Sequence, residues 1–178
     1  MRIFITDLQA YNEGYLVGKW VQLPMNEIEL LQTIFKILEE GGKETGSQNH
    51  EEYFITDYEA EISIDEYDDV YKLNEIAQTV EEYSDDDWLK LKFLSYEGYN
   101  ERDVIKKGIE SYDIDIYDYS TDRSFTDVYE LLAQDFVSEG LFGNVPTSFE
   151  NYIDYSAIGR DLSQDYTEFE HGVLGWIA

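Results

Sequence analysis

No cysteine interrupts this sequence, and proline, histidine and methionine occur only twice each. Without cysteine there are neither disulfides nor thiolate metal sites. The two histidines, His50 and His171, have no second histidine at ligand spacing, and the reading is of ordinary surface or partly buried side chains. Base is scarce as well: twelve lysines and arginines stand against forty acids, for a net charge of −28. Phosphate contacts need Lys or Arg, so direct nucleic-acid binding is excluded as a reading, and so is adsorption to an anionic membrane. No apolar run approaches the ~18 residues of a spanning helix. The opening MRIFITDLQAY turns acidic too early for a signal peptide. A soluble, cytoplasmic protein is expected.

What is present is apolar enough to fold. Hydrophobic residues make up 43% of the 178 and aromatics 16%, with sixteen Tyr, nine Phe and three Trp, too much for a disordered chain. Each aromatic hides roughly 150–250 Å² when packed, and tyrosine does so while keeping its hydroxyl wet. Acid predominates along the whole length. Adaptation to high salt is the bland alternative reading of such a composition, because net charge by itself speaks to solubility.

The densest acid lies between Ser63 and Trp88, where Asp65, Glu66, Asp68, Asp69, Glu75, Glu81, Glu82, Asp85, Asp86 and Asp87 face a single base, Lys72. Such a run usually reads as a self-repelling tail. Here Leu73, Ile76, Ala77, Val80 and Tyr83 thread through it at helical spacing, so one side faces a core and the other stays charged. A rigid acidic surface presents charge to a basic partner.

Arg2–Leu8 alternates as a strand, Asn12-Glu-Gly14 turns, and Tyr15–Leu23 reads as the hairpin partner. Asn26 with Glu29 opens a helix to about Glu40, with Ile28, Leu31, Ile34, Phe35 and Leu38 as its buried stripe and Gly41-Gly42 as its stop. Tyr53–Ile64 is an extended segment completing a small sheet. Asp69 caps a helix over Leu73–Tyr83, and Ser84 caps a second whose first turn holds Asp85, Asp86 and Asp87, where acid suits the helix dipole. Trp88, Leu91 and Leu94 are its inward residues, and Gly98 ends it. Arg102–Glu110 is a short helix with Val104, Ile105 and Ile109 inward. Tyr112–Tyr119 alternates, Ile114 and Ile116 against Asp113 and Asp115, as a strand. Phe125, Val128, Leu132 and Phe136 mark a helix ending near Gly140, Ser148–Asp161 carries further short helix, and Tyr166–Ile177 is a closing strand. The expectation is α+β: three small domains, a three-stranded sheet with one helix (1–61), an acidic helical domain (62–103) and an α+β domain (104–178).

Catalytic patterns fail on inspection. Gly41–Ser47 has the glycine spacing of a phosphate loop but lacks Lys after Gly46 and follows a helix instead of a strand. A calcium loop starting at Asp113 needs Gly at Asp118 and Glu at Ser124; one starting at Asp118 needs Gly at Arg123 and Glu at Tyr129. Among forty acids no carboxylate pair stands out for acid–base chemistry. No enzyme, cofactor or dedicated metal site is expected.

Two stretches, FITDLQAYNEGYLVGKWVQL (Phe4–Leu23) and LFGNVPTSFENYIDYSAIGRDL (Leu141–Leu162), flank the acidic middle. With it they resemble the ArdA family of antirestriction proteins carried by conjugative mobile elements. The resemblance extends over nearly the whole chain, and Asn151-Tyr-Ile-Asp-Tyr155 followed by Ile158-Gly-Arg-Asp161 is its most characteristic part. It implies an elongated, curved molecule of three small domains, a homodimer through the C-terminal domain, and carboxylates imitating the phosphates of bent duplex DNA. It also implies a partner, the methyltransferase core of type I restriction–modification enzymes, whose DNA-binding groove is occupied so that restriction, and often modification, of incoming DNA is blocked.

The partner-binding acids expected from the residues are Asp65, Glu66, Asp68, Asp69, Glu81, Glu82, Asp85, Asp86 and Asp87, then Asp113, Asp115, Asp118 and Asp122. For each, the plain alternative is a solvated side chain that serves solubility. Like charge opposes self-association, so a dimer interface must be locally apolar or use rare bases such as Arg123, and it is expected in the C-terminal unit. Two other classes compete: an acidic adaptor for another basic DNA-binding protein, and a carboxylate-based hydrolase.

Overall fold

In the computed structural model, which describes residues 1–47, 49–122 and 127–178, the first strand shows how the alternation is used. In β1 (Arg2–Asp7), Ile3 and Ile5 are fully buried. The strand sits at the centre of an antiparallel sheet ordered β2-β1-β3, between β2 (Gly18–Gln22) and β3 (Tyr53–Glu59). A bulge between Phe4 and Ile5 shifts the β3 register. A short helix, α1 (Leu8–Asn12), fills the connection where only a turn is legible in the sequence.

Helix α2 (Glu27–Thr45) covers one face of this sheet. Asn26 caps it as expected, its side chain accepting from the Ile28 amide at 2.9 Å. Two expectations are corrected. The buried stripe is Leu30, Ile34, Ile37, Leu38 and Gly41, while Ile28, Leu31 and Phe35 are exposed. Nor do Gly41 and Gly42 stop the helix, which runs on to Thr45 and ends at Gly46 in the left-handed region (φ 72°). Gly41 is there for closeness: a Cβ would fall on the Asp7 carboxylate.

Helix α3 (Val70–Val80) completes the same core through Val70, Leu73 and Ala77. Its buried Asn74 clamps the turn after β2, accepting from the Met25 amide at 2.8 Å and donating to the Met25 carbonyl at 2.9 Å. The buried amide thus makes the two bonds a neighbouring strand would make, which meets its own polar demand.

The rest of the chain builds a second antiparallel sheet, ordered β4-β6-β5, from β4 (Ile114–Asp118), β5 (Thr167–Glu170) and β6 (Val173–Ile177). The expected closing strand is therefore a hairpin, turning at Gly172 (φ 77°). Helix α4 (Asp85–Tyr96) packs on one face, and the expected Leu91 and Leu94 are joined by a fully buried Phe93. The Phe93 ring lies where a Cβ on Gly175 would be, about 2.5 Å away, so only glycine lets α4 approach the sheet so closely. On the other face Leu174 meets Val128, Leu132 and Phe136 of α6 (Val128–Ser138), with Tyr117, Tyr129, Leu162 and Tyr166 around them. Helices α5 (Glu101–Lys107) and α7 (Tyr155–Leu162), with 3-10 turns at Ile109–Ser111 and Glu150–Tyr152, complete the unit. Phe125, expected at the start of α6, and Arg123 lie outside the described residues.

Among the described residues the architecture is mixed α and β, with seven α-helices and two three-stranded antiparallel sheets. The chain divides into two compact units, Met1–Tyr83 and Ser84–Ala178. The boundary falls inside the expected middle domain. Its first helix belongs to the core of the first sheet through Val70, Leu73 and Ala77, and its second packs on the last sheet through Phe93 against Gly175.

Candidate interaction surface

Each acid singled out in the sequence is at least partly accessible: Asp65, Glu66, Asp69, Glu81, Glu82, Asp85, Asp86, Asp113, Asp115 and Asp118 are exposed, and Asp68, Asp87 and Asp122 half-buried. Rigid elements hold several of them. Asp69 is the N-cap of α3, accepting from the amides of Tyr71 and Lys72 at 2.9 and 3.4 Å. Asp68 closes the preceding turn by accepting from the Asp65 amide at 2.8 Å. At the start of α4, Ser84 and Asp87 form a reciprocal capping box, with the Ser84 hydroxyl donating to Asp87 Oδ2 at 2.6 Å. The hydrogen bonds from Ser84 hold the Asp87 carboxyl below its ordinary range. Asp86 is tied to Lys90 one turn on, at 2.6 Å. Each of these acids is held by the folded backbone of its own unit.

In the second unit the strand period sets the spacing. Asp113 and Asp115 are exposed on either side of the buried Ile114. Alternate positions on a strand are roughly 6.7 Å apart. Across the sheet, Glu168 and Glu170 on the other edge strand repeat the arrangement, acids that the sequence reading left out. Their signal was there, in the alternation Thr167-Glu-Phe-Glu170. Acid also presses on the neighbouring tyrosines. Burial, aided by the field of Asp115 and Glu139, pushes Tyr117 up to about 12, and burial with the hydrogen bond to Asp135 raises Tyr119 further.

One acid departs from this pattern. Asp7 is fully buried, its Oδ1 capping α1 through the Ala10 amide at 2.8 Å and its Oδ2 lying 2.6 Å from His50 Nδ1. The His50 side chain is itself 1% exposed, so this histidine is neither a surface residue nor a loosely held one. Its Nε2 lies 2.9 Å from Thr45 Oγ1, whose proton goes to the Gly41 carbonyl at 3.0 Å. The hydroxyl having given its proton to that carbonyl, its oxygen is left to accept from the ring. The order Asp–His–Thr resembles a catalytic relay; with the Asp7 and His50 side chains buried, it ties β1 and α1 to the end of α2. Nothing in the sequence marks two residues 43 positions apart as partners.

Among the described residues no group of acids and histidines is arranged to hold a metal ion, and no helix is long and apolar enough to cross a membrane. The candidate site is a surface of accessible carboxylates. The family model described as antirestriction protein (ArdA) matches residues 3–175, and the chain belongs to that family of antirestriction proteins. Comparison with curated proteins gives no match.

Proposed function

We propose that this protein blocks restriction of incoming DNA by mimicking duplex DNA, its carboxylates occupying the DNA-binding groove of the methyltransferase core of a type I restriction–modification enzyme in the bacterial cytoplasm. It binds no nucleic acid itself and catalyses no reaction. The observation that carries this reading is the fixing of accessible acids by caps, turns and strand period, described above, in a chain of net charge −28. Duplex DNA carries one charge per ~1.7 Å of its axis, so two copies of the chain match at most roughly 95 Å of duplex. The footprint is shorter, since some acids face away.

The homodimer belongs to the same proposal. In the second unit Leu141, Phe142, Phe149 and Tyr152 are 55–83% exposed, an apolar surface of the kind a like-charged dimer needs. Sedimentation at micromolar concentration tests it, and a monomer there removes the dimer.

The test of mimicry is displacement of labelled duplex from a purified type I methyltransferase core, at low and high salt. Displacement that weakens as salt rises supports it, because the complex then draws on the counterion release that serves DNA. Changing Asp65, Glu66, Glu81 and Glu82 together to amides weakens displacement steeply and flattens its salt dependence. A core that binds DNA normally and is not displaced promotes the acidic adaptor instead.

A further inference from the structure

Strand β2 has one open side. Antiparallel strands exchange their backbone bonds at every second residue. The Asp7 amide donates to the Val17 carbonyl at 2.9 Å and the Leu23 amide to the Met1 carbonyl at 3.0 Å, which with the register fixes the phase between them. Val17, Lys19, Val21 and Leu23 therefore turn their amides and carbonyls to β1, while Gly18, Trp20 and Gln22 turn theirs away. Among the described residues no other backbone takes those three amides. The other edge strands carry acid: Asp57 and Glu59 on β3, Asp115 and Asp118 on β4, Glu168 and Glu170 on β5. On β2 the single charged residue is Lys19.

This open side leads into a groove. Where β2 begins, a cleft of about 370 Å³ lies between the run from Tyr15 to Gly18 and the helix residues Glu40, Lys43 and Glu44. Lys43 is tied to Glu39 at 2.7 Å. Glu40 and Glu44 are exposed, one turn apart, and have no base as a partner among the described residues.

The two features describe one occupant. Amides and carbonyls free at alternate residues are met by another strand. The acids beside Val17 suit a lysine or arginine at that point of the added strand, and Lys19 suits an uncharged residue opposite itself. A second copy fits poorly. Two β2 strands paired antiparallel over their full length set Leu23 beside Val17, and the remaining edge strands bring acid to acid.

We infer that the β2 edge takes an extended segment of a partner protein as a fourth strand, with a lysine or arginine of that segment held between Val17 and the Glu40–Glu44 pair. This goes beyond the proposed mimicry and does not depend on it, since duplex DNA has no peptide backbone to offer.

The experiment measures amide hydrogen exchange in the full chain, alone and with the blocked peptide Thr-Val-Thr-Val-Thr-Lys-Thr. Running antiparallel along β2, this peptide sets its lysine beside Val17. A second peptide, N-methylated at its third and fifth residues, keeps the charge and loses the amides that face β2. The first peptide is expected to slow exchange at Gly18, Trp20 and Gln22 about tenfold, and the second to leave it unchanged. Glu40→Gln with Glu44→Gln should weaken the first peptide about threefold at an unchanged urea midpoint. Equal binding of the two peptides overturns the inference, because charge alone then accounts for it. Binding without slower exchange at the three amides overturns it by placing the peptide elsewhere on the acidic surface. Slow exchange at those amides in the chain alone overturns it as well, by showing that the edge is already covered. Equal affinity of the Glu40/Glu44 variant and the unsubstituted chain removes the acids as the seat of the base.

Discussion

Asp7 and the acids between Asp65 and Asp87 are the same chemistry put to opposite uses. Asp7, the one buried acid among the described residues, has a histidine and an amide to itself and no water. The others are exposed or half-buried, and their local bonds are caps, turns and the Asp86–Lys90 pair. A buried carboxylate is costly without its partner, so Asp7 and His50 stand or fall together. A surface carboxylate has water as its partner, so its loss is felt only in sum with its neighbours. Position, and not the number of acids, decides which of them holds the fold and which are free to serve recognition.

The sharpest way to break this contrast is His50→Ala. It leaves Asp7 buried without its hydrogen-bond partner and is expected to cost about 1–3 kcal/mol of stability in urea unfolding. A loss below about 1 kcal/mol, the size of a surface pair, would make the two regions alike.

The tyrosines test an intermediate case, hydroxyls half-sheltered beside surface acid. Tyr117 is raised from 10.0 to about 12, with Tyr119 and Tyr166 also raised, all chiefly by burial. The unfolded chain therefore loses these protons first, and the stability they contribute is present below pH 10 and lost as pH climbs through about 12. Near-ultraviolet absorbance should show tyrosinate forming in two phases, and Tyr117→Phe should reduce the later one.

Smaller again is the cap. Asp69→Ala frees two amides at the start of α3 and is expected to cost about 1 kcal/mol, read as a lower urea midpoint. Smallest is Glu82→Gln, on an exposed residue just past α3. It should change stability by less than about 0.5 kcal/mol and displacement of DNA only slightly. A large functional loss from that single change would indicate a discrete site in place of a distributed surface.

Legibility in the sequence followed the range of the interaction. Asn26, Asp69 and Ser84 were readable as caps because a cap joins residues two or three apart. The strands were readable from period two. The inward side of α2 was not, because Ile28-Leu31-Phe35 and Leu30-Ile34-Ile37 are both helically spaced, and only the position of the sheet selects between them. Gly41 read as a stop because the Asp7 carboxylate that requires it comes from another strand. The acid surface was visible as composition, yet Glu168 and Glu170 entered it only once β5 was placed at a sheet edge.

Each sheet has three strands, so β2, β3, β4 and β5 are edge strands, and on β3 the Ile55 amide is already taken by the Glu66 carbonyl at 2.8 Å. Exposed edges invite other chains to add themselves as further strands, the first step toward aggregation. Asp57 and Glu59 on β3, Asp115 and Asp118 on β4 and Glu168 and Glu170 on β5 guard three of those four edges with like charge. The charge on which the proposed mimicry draws thus also opposes polymerisation of the copies through their sheets.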